Sequence, residues 1–484
     1  MKAVAALLAA LGSALAEPVS IPLQGHPATH HLAKRAAPEW NEAPVAAWGA
    51  DVAYSIPVVF GTPPQMLDLF LNSALINTYV LENTCTTCDG YRTFQVNKSA
   101  TWLAADFNPI AGSGDVGTDR VGIWLSNQSM AYTVGLVNTT VRANLPRGFV
   151  LPPNTTISGN LGLGPTPANA SRQNPFLYNL AQNWTEQVYG IQLHRTRPTT
   201  NETAFTSRQV PGGMLTLAGV DHKALASEIT YLPIADVSHS FAVWAVPLDG
   251  INIAGHPVRA VQTQPLVVFP DIVGQAIVGT HAVVGELYSH IPGALLLRNG
   301  INISEWTAKA WVFPADAIGI TKDTNGTNPT SSIGLEIVIG GKPYRIADTD
   351  LVIKLVTPRE LVIAYGATPT QAAAAPVWAI GGVQELEPWP RGLPIGFGLG
   401  VNFLRNVYTA FKFNPESVGF GYLTPEAGGP VVVGTTGIRT VIATATDSAA
   451  PSASTGHAGS GAVRRSSGVC FTLFAVVLAV VWAS

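Results

Sequence analysis

The sequence predicts a mainly β fold divided into two lobes. Three observations predict it. Glycine and proline supply 83 of the 484 residues, a turn-rich composition that suits short strands better than long helices. From about residue 50 to 425, short apolar runs alternate with Gly, Pro and Asn, as strands bounded by turns do. That block of about 375 residues is too large for a single core, so it splits in two.

Composition narrows the function classes. Only 12% of residues are charged, against ~25% in an ordinary domain. The net charge is −3. No basic excess is available to neutralise phosphates, which argues against a nucleic-acid partner.

Read in order, the chain opens on Met1-Lys2, an apolar run over 3–16 and the small-x-small close Ala14-Leu15-Ala16. This pattern predicts a secretory signal peptide over 1–16. Residues 17–35 end in Lys34-Arg35, a dibasic pair that predicts a removable pro-segment and a mature start at Ala36. Strands are expected over 52–60, 67–71, 214–217, 241–246, 266–269 and 335–339, and helices over 175–184 and 282–290. The two lobes are assigned to 36–235 and 236–425.

Residues 426–459 are rich in Ser, Thr, Ala, Pro and Gly and lack aromatics. Such a stretch cannot bury a core and predicts an O-glycosylated stalk. Over 460–484, Arg464-Arg465-Ser466-Ser467 precedes an apolar run at 469–483. This run is shorter than the ~20 residues of a spanning helix. With the small residues Ala458-Gly459-Ser460-Gly461 before it, the segment predicts GPI attachment at Gly459 or Ser460. A short tail-anchored helix is the alternative.

Cysteine usage fits secretion. Cys470 lies in the discarded tail, leaving Cys85 and Cys88 for a structural disulfide in a tight loop. Nine Asn-x-Ser/Thr sequons, at Asn97, Asn127, Asn138, Asn154, Asn169, Asn183, Asn201, Asn302 and Asn325, predict N-glycosylation.

Four motifs carry the chemistry. Phe60-Gly61-Thr62-Pro63-Pro64-Gln65 leads into a strand. Asn160-Leu161-Gly162-Leu163-Gly164-Pro165, Gly212-Gly213-Met214-Leu215-Thr216-Leu217 and Phe403-Leu404-Arg405-Asn406-Val407-Tyr408 follow in order. In these motifs, over roughly 50–425, the chain resembles the pepsin family of aspartic peptidases. The resemblance implies two mainly β lobes around a long cleft, a barrel-like lobe on each side, and one catalytic aspartate from each lobe. It also implies a peptide or protein ligand in the cleft and no cofactor or metal. Two carboxyls held close together cannot both ionise, so they share a proton. One then activates water while the other protonates the peptide carbonyl.

The sequence departs from that pattern at the decisive place. Counting from Gln65, the first catalytic position falls on Asn72, and Asp-Thr-Gly-Ser becomes Asn72-Ser73-Ala74-Leu75. Asn77, Tyr79 and Val80 keep the family's register, Tyr79 standing where the family has Trp. An amide carries no titratable proton and can be neither the base nor the shared-proton partner. The second position is Asp271, within Phe269-Pro270-Asp271-Ile272-Val273-Gly274, or Pro270 if the register slips by one. The flap segment carries Ile110, Gly112 and Ser113 but no Tyr at its head.

Other candidates weigh less. Asp68 lies four residues before Asn72, about 13 Å away along an extended strand, and is expected to be a solvated strand residue. His30-His31 is expected to be exposed rather than metal-binding. Gly340-Gly341-Lys342 is followed by Pro343 instead of Ser or Thr, which makes it a hairpin turn and not a phosphate loop.

These features predict a secreted monomer at the outer membrane face or cell wall, resembling fungal yapsin-like surface proteases. The expected function is a pseudoprotease whose cleft binds peptide or glycan. An active acid endopeptidase working around Asp271, and a structural cell-wall glycoprotein, are the alternatives.

Overall fold

The structure, a computed structural model, describes residues 19–26 and 53–429, apart from 86–87, 89–90, 105–114, 127–130, 144–156, 166–174, 183, 195–209, 236–242, 263–265, 275, 298–301, 304–305, 319–332, 388–394 and 428. The signal peptide, the dibasic pair, the stalk beyond Gly429 and the terminal apolar run lie outside the described residues. The first residues assigned to the stalk belong to the folded domain, since Ala427 is buried and its carbonyl accepts from Gln192 Nε2 at 2.8 Å. Among the described residues, strands dominate and no helix is long and apolar enough to cross a membrane.

Among the described residues, most strands lie in two large sheets, of thirteen and ten strands. The first is centred on β2 (Ala53–Phe60) and β3 (Gln65–Asn72), paired antiparallel so that Phe60 faces Gln65. Their connection is tight. Gly61 takes φ +73°, and a Cβ there would stand 2.4 Å from Ser99 Oγ, so only glycine fits. Along β3, Leu67, Leu69 and Leu71 alternate into the core, while Phe70 is buried on the other face. A strand covered on both faces belongs in the sheet interior. There it runs parallel to β4 (Ile157–Gly162), with Asn72 opposite Gly162.

Segments from early and late in the chain also enter this sheet. β1 (Val19–His26) pairs antiparallel with β6 (Val210–Leu217), from Val19 opposite Leu217 to Gly25 opposite Val210. Its last residues pair with the start of β2, Gln24 opposite Ser55. Part of the expected pro-segment is therefore an internal strand. At the other end, β10 (Val407–Phe413) pairs with β5 (Val188–Leu193) and with β11 (Glu416–Tyr422). Residues late in the chain thus complete a sheet begun by its first half.

The second sheet holds β7 (Leu266–Pro270) and β8 (Ile277–Gly279), with β9 (Ile395–Leu399) between them. β9 runs parallel to β7 and antiparallel to β8. The expected strand over 241–246 lies instead at Val246–Leu248, while 335–339 is found as Glu336–Ile339.

The two expected helices are present, α1 (Phe176–Ala181) shorter than read and α2 (His281–Ser289) of the expected length but one residue earlier. A third, α3 (Pro358–Tyr365), was not anticipated. Thr357 accepts from Glu360 N, Glu360 reaches back to Thr357 N, Pro358 opens the helix and Gly366 ends it in the left-handed conformation. The Thr-Pro-x-Glu spelling of that capping box was readable in the sequence.

One continuous core joins both halves. Tyr189 and Phe411 stack with centroids 4.7 Å apart, and Trp244 packs against Phe411 at 5.4 Å. Tyr189 Oη and Trp244 Nε1 both donate to the Leu163 carbonyl, at 2.5 and 2.8 Å. That carbonyl lies directly beyond the end of β4, so the aromatic cluster braces the strand behind Asn72.

Candidate active site

β3 and β7 end in two short loops built on one plan. β3 is backed by parallel β4, and Leu163 N donates to the Asn72 carbonyl at 2.8 Å. β7 is backed by parallel β9, and Asp271 N donates to the Leu399 carbonyl at 3.0 Å. Two residues past β4, Gly164 N binds the Leu75 carbonyl, and two past β9, Val401 N binds the Gly274 carbonyl.

The side chains follow the same plan. Asn72 Oδ1 accepts from Ala74 N and Leu75 N, both at 3.0 Å. Asp271 Oδ1 accepts from Val273 N at 3.0 Å, and the Gly274 N–H also bonds its carboxylate. Asp271, not Pro270, therefore stands where Asn72 stands in the other loop. An amide nitrogen cannot accept these bonds, so they fix which end of Asn72 is oxygen. The other end, Nδ2, is buried without a hydrogen-bond partner among the described residues.

Electrostatically the loops differ. Burial pushes the Asp271 carboxyl up to about 6, and the N–H groups of Gly274 and Val273 only partly oppose that rise. No titrating group stands at Asn72. The pair offers one proton site where two carboxyls would offer a shared one.

Ser73 ties the loops together. Its Oγ donates to the Pro270 carbonyl at 2.8 Å and accepts from Ile272 N at 3.1 Å. Pro270 and Ile272 flank Asp271, so this one hydroxyl sets Asn72 and Asp271 side by side. The tie is one-sided, because Ile272, at Ser73's place in the second loop, has no polar atom to return the bonds. Ser73 and Ile272 are both 1% exposed, so no solvent replaces what is missing.

The remaining residues fall as follows. Tyr79 is buried in the short strand Thr78–Val80, opposite Asn160 of β4. Asp68 is half-buried within β3, opposite Pro57. Ile110, Gly112 and Ser113 lie outside the described residues. Cys85 and Cys88 form a disulfide. Asn97 is exposed on the turn Val96–Lys98; Asn138 and Asn302 lie on described strands, and the other six sequons lie outside. Gly340 and Gly341 form the hairpin turn between Glu336–Ile339 and Lys342–Arg345.

Sequence reasoning did not foresee what the Phe403-to-Tyr408 motif does. Arg405 Nη1 lies 3.5 Å from Asp350 Oδ1, and its Nε donates to Tyr54 Oη of β2 at 3.2 Å. Asn406 Nδ2 donates to Asp350 Oδ2 at 2.8 Å. The motif is a buried polar knot joining the late chain to β2. An Arg-Asn pair inside an apolar run was the available signal, since buried polar groups require partners.

Comparison with known proteins agrees with this geometry. The eukaryotic aspartyl protease family model matches residues 53–381. Among curated proteins, Major aspartyl peptidase 1 of Cryptococcus neoformans var. grubii is 25% identical over 393 residues, covering 78% of this chain and 69% of that protein. Cathepsin D of Gallus gallus is 22% identical over 381 residues, covering 76% and 80%. Aspartic-type endopeptidase ctsD of Aspergillus fumigatus is 24% identical over 444 residues, covering 88% and 76%. With paired loops at the ends of backed strands and a family match across more than half its length, the chain belongs to the eukaryotic aspartyl protease family.

Proposed function

We propose that this protein is a pseudoprotease, a secreted and GPI-anchored member of the family whose cleft binds peptide or glycan without hydrolysing it. The observation that carries the reading is Asn72. Its Oδ1 is held by two backbone N–H groups and its other end is an amide nitrogen. Neither end can take a proton from water, and no carboxyl remains to share a proton with Asp271. The missing hydroxyl at Ile272 weakens the same site a second time. The terminal signals and the nine sequons support the surface location.

Casein cleavage at pH of about 3–5, where carboxyl pairs titrate, tests the reading. The secreted chain must keep residues 19–26, because β1 is part of the sheet. Natural protein, Asp271→Ala and Asn72→Asp are compared. No cleavage by the freshly made natural protein is expected. Cleavage that Asp271→Ala abolishes would replace this reading with that of an acid endopeptidase working through Asp271 alone, whose raised pKa keeps it available as an acid.

A further inference from the structure

The Asn72 side chain is itself an amide, held inside a site shaped to act on amides. Its carbonyl oxygen accepts two backbone N–H bonds, from Ala74 and Leu75 at 3.0 Å each. Two donors on one amide oxygen are what an oxyanion requires, and each donor of that kind contributes ~10²–10³ in rate. The nitrogen has no hydrogen-bond partner among the described residues, so its lone pair and protons are engaged by no other group there. Beside it, across the Ser73 tie, stands a carboxyl fixed by its own loop. Of the two side chains' residues, Asp271 retains 4% exposure and Asn72 none, so solvent meets the pair from the Asp271 side.

We propose that Asn72 is a self-modification site: Asp271 directs water onto the Asn72 side-chain amide and converts it to aspartate. This rests on the reading that Asn72 disarms the freshly made site. Water adds its oxygen to Asn72 Cγ while Asp271 takes one of its protons. The carbonyl electron pair moves onto Oδ1, where the Ala74 and Leu75 N–H groups hold the charge. The pair then returns, the Cγ–Nδ2 bond breaks, and Asp271 gives its proton to the departing nitrogen. One water is consumed, one ammonia is released, and nothing is oxidised or reduced. The product carries aspartate at both loop positions. A general base contributes ~10²–10⁴, so the conversion depends on Asp271 by at least ~100-fold. Because Asp271 titrates at about 6, the base form predominates at neutral pH and is lost in acid.

The rival chemistry leaves a different product. Attack by the Ser73 backbone nitrogen on Cγ closes a cyclic imide, which opens to a mixture of aspartate and isoaspartate. Direct attack by water yields aspartate alone, carrying one solvent oxygen.

The experiment follows freshly secreted full-length protein in ¹⁸O-water at pH 7 and pH 4. The peptide containing residue 72 is read by mass spectrometry over weeks, and Asp271→Asn is run in parallel with its fold checked by circular dichroism. The expected result is aspartate with one ¹⁸O at position 72, no isoaspartate, faster formation at pH 7, and a rate at least ~100-fold lower in the variant. Persistence of Asn72, isoaspartate, or equal rates in both proteins would overturn the proposal. Casein cleavage is scored separately. If Asn72 converts but neither converted protein nor Asn72→Asp cleaves casein, the conversion stands, and the reading that one residue disarms the site falls.

Discussion

The loop after β3 and the loop after β7 share a backbone and differ in chemistry. Each is backed by a parallel strand, each closes its carbonyls on the same pattern, and each folds its first side chain onto its own N–H groups. Yet one presents an amide and a hydroxyl, and the other a carboxyl and an apolar branch. Asparagine satisfies the loop's hydrogen bonds as well as aspartate does, because those bonds need only an oxygen acceptor. The fold therefore tolerates a change that removes a titratable group. Backbone geometry and the chemistry carried by the loop are separately specified here.

Four substitutions break or sharpen that contrast. The largest effect is expected from Asn72→Asp, which makes the first positions of both loops chemically equal. Casein cleavage in acid should rise by ~10² or more as a general base returns. If it does not rise, Ile272 and the altered flap segment disable the site independently.

Asp271→Asn makes the loops equal in the opposite sense, and its effect lies in stability. The Asp271 carboxyl binds its proton more tightly folded than unfolded, with a pKa of about 6 against 3.8. Burying it therefore costs nothing below both values. The cost grows as pH rises from about 4 to 6, and reaches about 3 kcal/mol above that window. Urea unfolding should find the variant more stable by up to about 3 kcal/mol at pH 7 and unchanged at pH 3. An equal shift at both values would show that desolvation of the charge is not the cause.

Ser73→Ala removes the tie itself. It strands the Ile272 N–H and the Pro270 carbonyl in a buried site, at a cost of about 2 kcal/mol. The urea midpoint should fall accordingly, with an unchanged slope. Smallest is Ile272→Thr, which supplies the missing hydroxyl while deleting buried methyl surface. A regained hydrogen bond of about 1 kcal/mol should offset most of the ~1.6 kcal/mol lost with two apolar carbons, leaving a net loss of about 1 kcal/mol or less. A loss above about 2 kcal/mol in thermal or urea unfolding would show that apolar packing governs this loop.

How much of this the sequence disclosed follows the range of each interaction. The alternation of Leu67, Leu69 and Leu71 marked β3, and counting from Gln65 located Asn72, because strand period and loop length are local. The choice between Pro270 and Asp271 stayed open, since it depends on which N–H groups fold back and on the pairing with β9. Ser73 was visible as a hydroxyl, but its partners lie 197 and 199 residues away. Val19, Ile21 and Leu23 alternate as a strand's residues do, but the partners β6 and β2 lie too far along the chain for that local pattern to name them. The run at 241–246 lacks a strand's alternation, and Trp244 within it packs into the aromatic cluster instead.

The return of β10 to β5 has a consequence for biosynthesis. The ribosome finishes β5 and then makes over two hundred further residues before β10 exists, since the strands end and begin at Leu193 and Val407. At ~5–20 residues per second, that interval is roughly 10–40 s. Throughout it, one side of β5 is an open edge and the face awaiting Phe411 is uncovered. The nascent chain thus passes through a long sticky stage, and its yield depends on whatever shields β5 until the last strands emerge.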